Sequence, residues 1–371
     1  MEIGLLPALG SGIAELRRTG QDSRLIDGYL RPYARAFDRL WYFSYLPESA
    51  ADLAGAADLT GALRVLAPRG RRPRLWRAVE IPIAHRRELR RAAVLRVFQV
   101  TGVIPALIAR CCWGVPFVTT YGFWYARLGR SGLPAVARRA LERIGLRMAA
   151  AVIVPTEELR AHVVRLAPAE RVHLIPNGVD LGRFAPAAER RSRGGRVVYV
   201  GRLSEEKNLA ALIQAAAALR ARVPCQVVMI GAGPLRAELE AAARAAGVPV
   251  EFPGVVDHRG LPEWLRGADA FALPSFTEGH PKALIEAMAT GLPCVASDCS
   301  GNRTLVKDGD TGLLFDPRDP AALAGQLERV LTRPEVAAAL GRRGRDLVAR
   351  EFDLGRLVEG EIDLLKRVAR P

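Results

Sequence analysis

Residues 273–292 read Leu-Pro-Ser-Phe-Thr-Glu-Gly-His-Pro-Lys-Ala-Leu-Ile-Glu-Ala-Met-Ala-Thr-Gly-Leu, and no other stretch limits the fold so sharply. Ala270–Leu273 is a short apolar run with the length of a buried strand. Residues 274–279 break it and read as a loop. Pro281 suits the first turn of a helix, where its missing N–H costs nothing. Ala283, Leu284, Ile285, Ala287, Met288 and Ala289 favour a helix, which Gly291 and Pro293 end. The segment is therefore strand, loop, helix, with Glu278 in the loop and Glu286 inside the helix. Free amides at a helix start attract an anion, whereas the Lys282 cation in that first turn opposes the helix dipole. Such a lysine either faces a bound anion or is an ordinary solvated side chain.

The plan recurs earlier in the chain. Arg196–Val200 is a β-branched strand, Gly201-Arg202-Leu203-Ser204-Glu205-Glu206-Lys207 a loop, and residues 208–221 a helix. With Ser204 as N-cap, Lys207 falls in the first helical turn. Of 54 Lys+Arg only four are lysine (Lys207, Lys282, Lys307 and Lys366), so two of the four stand at helix starts after strands. An α/β sheet binds ligands beyond the carboxyl ends of its strands. The two loops read together as a cradle for a negatively charged group, a phosphate foremost. Arg202 can fork onto two phosphate oxygens, and Lys207 supplies a compact charge.

Gly201-Arg202 with Lys207-Asn208, then Glu278 and Glu286 eight residues apart, then Gly291-Leu292-Pro293, resemble the family-four retaining glycosyltransferases of the GT-B fold. The likeness is close over residues 175–316 and loose over the first 150. It implies an α/β architecture of two Rossmann-like parallel-sheet domains facing each other across a cleft, with a C-terminal helix crossing back to the first. The expected boundaries are an acceptor-binding domain at 1–185, a nucleotide-sugar-binding domain at 193–352 and the helix at 353–371. The resemblance implies transfer of a hexose from a nucleotide diphosphate-sugar (a UDP- or GDP-sugar), with no permanently bound cofactor. The acceptor would be a saccharide or a lipid-linked saccharide of cell-surface polysaccharide or glycolipid biosynthesis.

The same resemblance assigns roles. Arg202, Lys207 and Glu278 are the expected catalytic residues. Arg202 and Lys207 neutralise the departing diphosphate, and Glu278 holds a hydroxyl of the donor sugar beside the amides of Gly279 and His280. Glu286 accepts the ribose hydroxyls, Gly10 and Gly12 face the diphosphate, the turn at Val255 meets the base, and Pro281 and Lys282 complete the donor site. With these cations meeting the diphosphate, no metal is expected. Structural alternatives stand beside these roles: Glu278 as a capping carboxylate, Glu286 as a buried glutamate paired with an arginine, Gly10 and Gly12 as a plain turn. The chain departs from the family in two places. Where many members carry a histidine before a glycine, it has Thr120-Tyr121-Gly122, and the family's Gly-Gly-x-x-Glu loop reads Ser300-Gly301-Asn302-Arg303-Thr304. Tyr121, Trp124 in the aromatic loop that follows it, and Asn302 are the candidate acceptor or sugar contacts. Two competing readings are a nucleotide-sugar epimerase on the same fold and a non-catalytic GT-B binding subunit.

A chain of 371 residues is long for one core, which agrees with two domains. No apolar run reaches the length of a membrane span, and no basic leader precedes an apolar stretch. The five cysteines show neither metal nor disulfide spacing, so a cytoplasmic location is expected. The net charge of +15 is lopsided: residues 1–190 hold 29 Arg against 16 Asp+Glu, a net +13. A preference for arginine over lysine would not produce that asymmetry, whereas contact with an anionic membrane surface or acceptor would. No basic–aromatic recognition motif points to nucleic acid. The densest basic segment, residues 69–91, interleaves Trp76, Val79, Ile81 and Ile83 with nine arginines. It reads equally as a solvated helix with one core face and as a basic amphipathic segment peripheral to the inner face of a membrane.

Overall fold

The computed structural model describes residues 1–49, 57–68, 73–122, 133–187 and 194–370. The chain divides into two compact units, Met1–Pro176 with Arg356–Pro371, and Asn177–Gly355. Among the described residues the first unit holds seven strands: β1 (Glu2–Leu6), β2 (Arg39–Phe43), β3 (Leu63–Leu66), β4 (Val94–Val97), β5 (Phe117–Thr120), β6 (Ala151–Val154) and β7 (Val172–Leu174). All pair in parallel, in the order β3-β2-β1-β4-β5-β6-β7. Parallel strands need long crossovers, which put helices on the sheet faces and bury the strands on both sides. Accordingly β4 and β6 are buried along their whole length.

The second unit repeats the plan with β8 (Arg196–Val200), β9 (Gln226–Ile230), β10 (Val250–Gly254), β11 (Ala270–Leu273), β12 (Cys294–Ser297) and β13 (Leu313–Phe315). These are also parallel, in the order β10-β9-β8-β11-β12-β13. Strand order reverses once in each sheet, between β1 and β4 and between β8 and β11. Loops diverge at such a reversal and leave a crevice at the strand ends, where α/β proteins bind ligands.

The division between the two units falls at Pro176. Val179 and Phe184, which follow that division, are buried in the core of the second unit. The helix Leu354–Val368 returns the chain to the first unit. Its Glu361 is buried and accepts from Arg96 Nε on β4 at 2.5 Å and from the Tyr33 hydroxyl. Arg96 Nη2 also donates to Thr120 Oγ1 at 2.8 Å. Removing one partner of such a pair strands a buried charge, at about 3–5 kcal/mol.

Candidate functional site

The two lysine-bearing loops leave the neighbouring strands β8 and β11, on either side of the strand-order reversal. After β8 the chain turns through a single 3-10 turn, Glu205–Lys207. Ser204 begins that turn, but its hydroxyl donates to Glu206 at 2.6 Å instead of capping it. Asn208 follows with φ of +51°, the only left-handed non-glycine among the described residues. Asparagine tolerates that conformation better than most side chains. The helix proper is Leu209–Leu219, so Lys207 lies in the turn before it and not in its first turn. Asn208 Nδ2 donates to the carbonyls of Pro274 at 3.2 Å and Pro317 at 2.8 Å, and Phe276 N donates to Glu206 O at 2.9 Å. These bonds tie the β8 loop to the β11 loop.

A charge pair sits on that tie. Lys207 Nζ pairs with Glu278 Oε1 at 2.7 Å, and the same oxygen accepts from Ser275 Oγ at 2.6 Å. The Lys207 and Glu278 side chains are largely buried, which strengthens their attraction relative to a surface pair. Arg202 is exposed in the same loop. Burial raises the Glu206 pKa, but its bonds to Ser204 and the backbone and the nearby Lys207 and Arg202 charges outweigh this and hold it low. Lys282 opens the helix Lys282–Ala289 behind Pro281, as expected. Gly301 allows the next loop to close on this one, since a Cβ there would stand 2.5 Å from the Glu278 carbonyl oxygen. The result is a pre-ordered cation–carboxylate pair with further cations beside it, suited to an anionic ligand that also offers a hydroxyl.

Glu286, within the helix, is buried, and it pairs with a residue that sequence reasoning missed. His258 Nε2 lies 2.8 Å from Glu286 Oε1, with the histidine equally buried. The His258 ring packs on Phe184 at 5.2 Å, and its Nδ1 has no hydrogen-bond partner among the described residues. Glu286 thus pairs with a histidine. Val255, in the same connection after β10, is exposed. His280 is turned inward: its Nδ1 accepts from Asn177 N at 3.3 Å and its ring packs on Phe352 at 5.4 Å. Burial, with some help from the Lys282 charge, pushes its pKa down to about 3, so the ring is neutral and shapes the loop.

The candidates outside these loops fare differently. Gly10 is left-handed, with φ of +77°. Gly12 packs tightly, since a Cβ there would meet Ser44 Oγ at 2.5 Å and Glu48 Oε1 at 2.6 Å. The Glu48 carboxylate accepts from Ile13 N and Ala14 N, both at 2.8 Å, and so takes the first amides of the helix Ile13–Arg18 that follows these glycines. Tyr121 is buried with its ring on His162 at 5.8 Å, and Asn302 is fully buried with its amide donating to Ser297 O at 2.9 Å. Both side chains are packed against residues of their own unit. Trp124 lies outside the described residues.

Family models match both halves of the chain: Glycosyltransferase Family 4 over residues 22–183 and Glycosyl transferases group 1 over residues 185–347. A D-inositol 3-phosphate glycosyltransferase of Frankia alni is 32% identical over 278 residues, covering 66% of this chain and 68% of the relative. A UDP-Gal:alpha-D-GlcNAc-diphosphoundecaprenol alpha-1,3-galactosyltransferase of Escherichia coli is 28% identical over 71% of this chain and 72% of its own length. Other curated relatives are matched over as little as 45% of their length. Among solved structures, Anabaena HepE in complex with UDP-glucose superposes with a TM-score of 0.79 at 19% identity, over 99% of this chain and 100% of that one. With both family models in register on the two parallel-sheet units, the chain belongs to the family-four glycosyltransferases of the GT-B fold.

Proposed function

We propose that the protein transfers a hexose, with retention of configuration, from a nucleotide diphosphate-sugar to a saccharide or lipid-linked acceptor in glycolipid or cell-surface polysaccharide assembly. The observation that carries this reading is the Lys207–Glu278 pair on the two loops at the β8/β11 reversal. In the transfer, the bond from the anomeric carbon to the phosphate oxygen breaks, the acceptor hydroxyl oxygen bonds to that carbon on the same face, and its proton passes to the departing diphosphate oxygen. Negative charge grows on the departing diphosphate. Lys207 and Arg202 meet it, and Lys282 adds to the field; these charges take the place of a divalent cation. Lys207 is already held by Glu278, so the cost of ordering its long side chain falls on folding and not on the reaction. Glu278 accepts a hydroxyl of the transferred sugar, beside the amides of Gly279 and His280. Glu286 takes the ribose hydroxyls, and the Val255 turn lies against the base.

The reading is supported by family membership, by the UDP-glucose held by the Anabaena neighbour and by the diphosphoundecaprenol substrate named for the Escherichia coli relative. A diphosphate-linked lipid is anionic, in keeping with the net +13 of residues 1–190. We therefore propose that the first unit binds the acceptor and that the protein works peripherally at the inner, anionic face of a membrane. The deciding experiment is incubation with radiolabelled UDP- and GDP-sugars, with and without a lipid-linked acceptor and with a chelator present. Transfer with an unchanged anomeric configuration by NMR is expected, and the chelator is expected to leave it intact. Epimerised donor, or binding without turnover, would overturn the assignment.

A further inference from the structure

The helix Arg74–Ala84 carries apolar side chains on two faces. One face, with Ala78, Ile81 and Pro82, is buried, and the helix packs on Ile104–Trp113. The other holds Leu75, Trp76, Val79 and Ile83, which are 63%, 64%, 41% and 72% exposed. Eleven large hydrophobic side chains are exposed among the described residues, and four of them stand on this one helix. At 3.6 residues per turn the four fall within an arc of about 100°. Core packing accounts for the first face and not for the second. An apolar stripe of this width on a helix facing water marks a surface that something covers.

We propose that this stripe enters the headgroup layer of an anionic lipid bilayer, with the helix lying in the plane of the membrane. The charge around it selects that occupant. Arg86, Arg87, Arg90 and Arg91 are exposed on the next helix, Arg86–Arg91, which follows after His85. The acidic residues of the two helices, Glu80 and Glu88, are half-buried. A second copy docked on this face would bring its own arginines, and its own net +13 over residues 1–190, against the first. An anionic bilayer offers opposite charge to the arginines and an apolar layer beneath the headgroups to the stripe. Trp76 fits the boundary, with an apolar ring and one N–H donor. Arginines without a stripe would give attachment that salt abolishes. The stripe adds a component that salt does not screen.

The inference rests on the membrane part of the proposed function, and its test uses neither donor nor acceptor, so the two fail separately. The full chain is sedimented with vesicles of phosphatidylcholine alone and of equal parts phosphatidylcholine and phosphatidylglycerol, at low and high salt. Wild type is expected to prefer the anionic vesicles and to keep part of its binding in high salt. Trp76→Ser with Ile83→Ser is expected to weaken binding roughly tenfold or more and to abolish the salt-resistant part. Arg86→Ser with Arg87→Ser is expected to reduce the preference for anionic lipid and to leave a salt-resistant remainder. All four positions are exposed, and unchanged melting temperatures verify folding. Equal binding by the Trp76/Ile83 variant, or no lipid preference in wild type, would overturn the proposal. A wild-type dimer without lipid that this variant converts to monomer would assign the face to a second copy instead.

Discussion

Both units are parallel sheets whose strand order reverses once, at β1/β4 in the first and at β8/β11 in the second. Yet the two strand ends hold opposite chemistry. After β8 and β11 stand Arg202, Lys207 and Lys282, with Glu278 paired to one of them. After β1 the helix-start amides are already taken by the Glu48 carboxylate, and Gly12 serves to let that carboxylate in. The same topology thus gives a cationic end in one unit and, in the other, an end satisfied from within. A strand-order reversal supplies a place, and the side chains around it decide whether the place is open.

Four measurements break or sharpen this contrast. Glu278→Gln is expected to cost the most, lowering turnover by roughly 10²–10³-fold, the range for losing one preorganised polar contact to the reacting group. Binding of the bare nucleoside diphosphate should change far less. Equal damage to both would place Glu278 on the nucleotide rather than on the sugar. Next come Lys207→Ala and Arg202→Ala, each expected to weaken nucleoside diphosphate binding by about 10–100-fold in calorimetry, the worth of a charge-assisted contact. Unchanged affinity in both would remove the cationic end.

A smaller effect is expected for His258→Phe, which keeps the ring against Phe184 but deletes the bond to Glu286. Donor KM should rise by a few-fold, about 1 kcal/mol, while kcat holds. A fall confined to kcat would argue that Glu286 acts on the transferred sugar. The smallest effect on donor binding is expected for Glu48→Gln. Weakening that cap should lower the melting temperature by roughly 2–4 °C and leave nucleotide affinity unchanged. If affinity fell as it does for Lys207→Ala, the strand end in the first unit would belong to the donor site and the contrast would collapse.

The second-unit site was legible because its residues obey local rules. A strand, a breaker, a proline and a lysine lie within a few positions of each other, so the placement of Glu278 in the loop, Lys282 at the helix start and Glu286 in the helix follows from spacing, while their roles are what the family resemblance implies. What the sequence hid depends on contacts made far along the chain. His258 meets Glu286 across 28 residues, Glu48 meets Ile13 across 35, and Asn208 clamps Pro317 across 109. No local pattern encodes such meetings. Tyr121 and Asn302 stand where the family pattern points, but whether a side chain faces out or in follows from packing that a motif does not record. The basic segment fails for another reason. Ala78 with Ile81 and Val79 with Ile83 are both helical spacings, and only the tertiary structure decides which pair turns inward.

The buried bond between Arg96 and Glu361 bears on how the chain is made. A ribosome delivers Arg96 long before Glu361, with the whole of Asn177–Gly355 synthesised in between. Domains generally fold in order as they emerge, the N-terminal one first. Here the first unit waits with an arginine that has no carboxylate to meet, while the second unit has all its residues and can finish ahead of it. The helix Leu354–Val368, made only after the second unit, completes the first unit. A chain stopped just before it would hold an intact second unit beside an unfinished first one, and a degradation signal placed there would find its target half exposed.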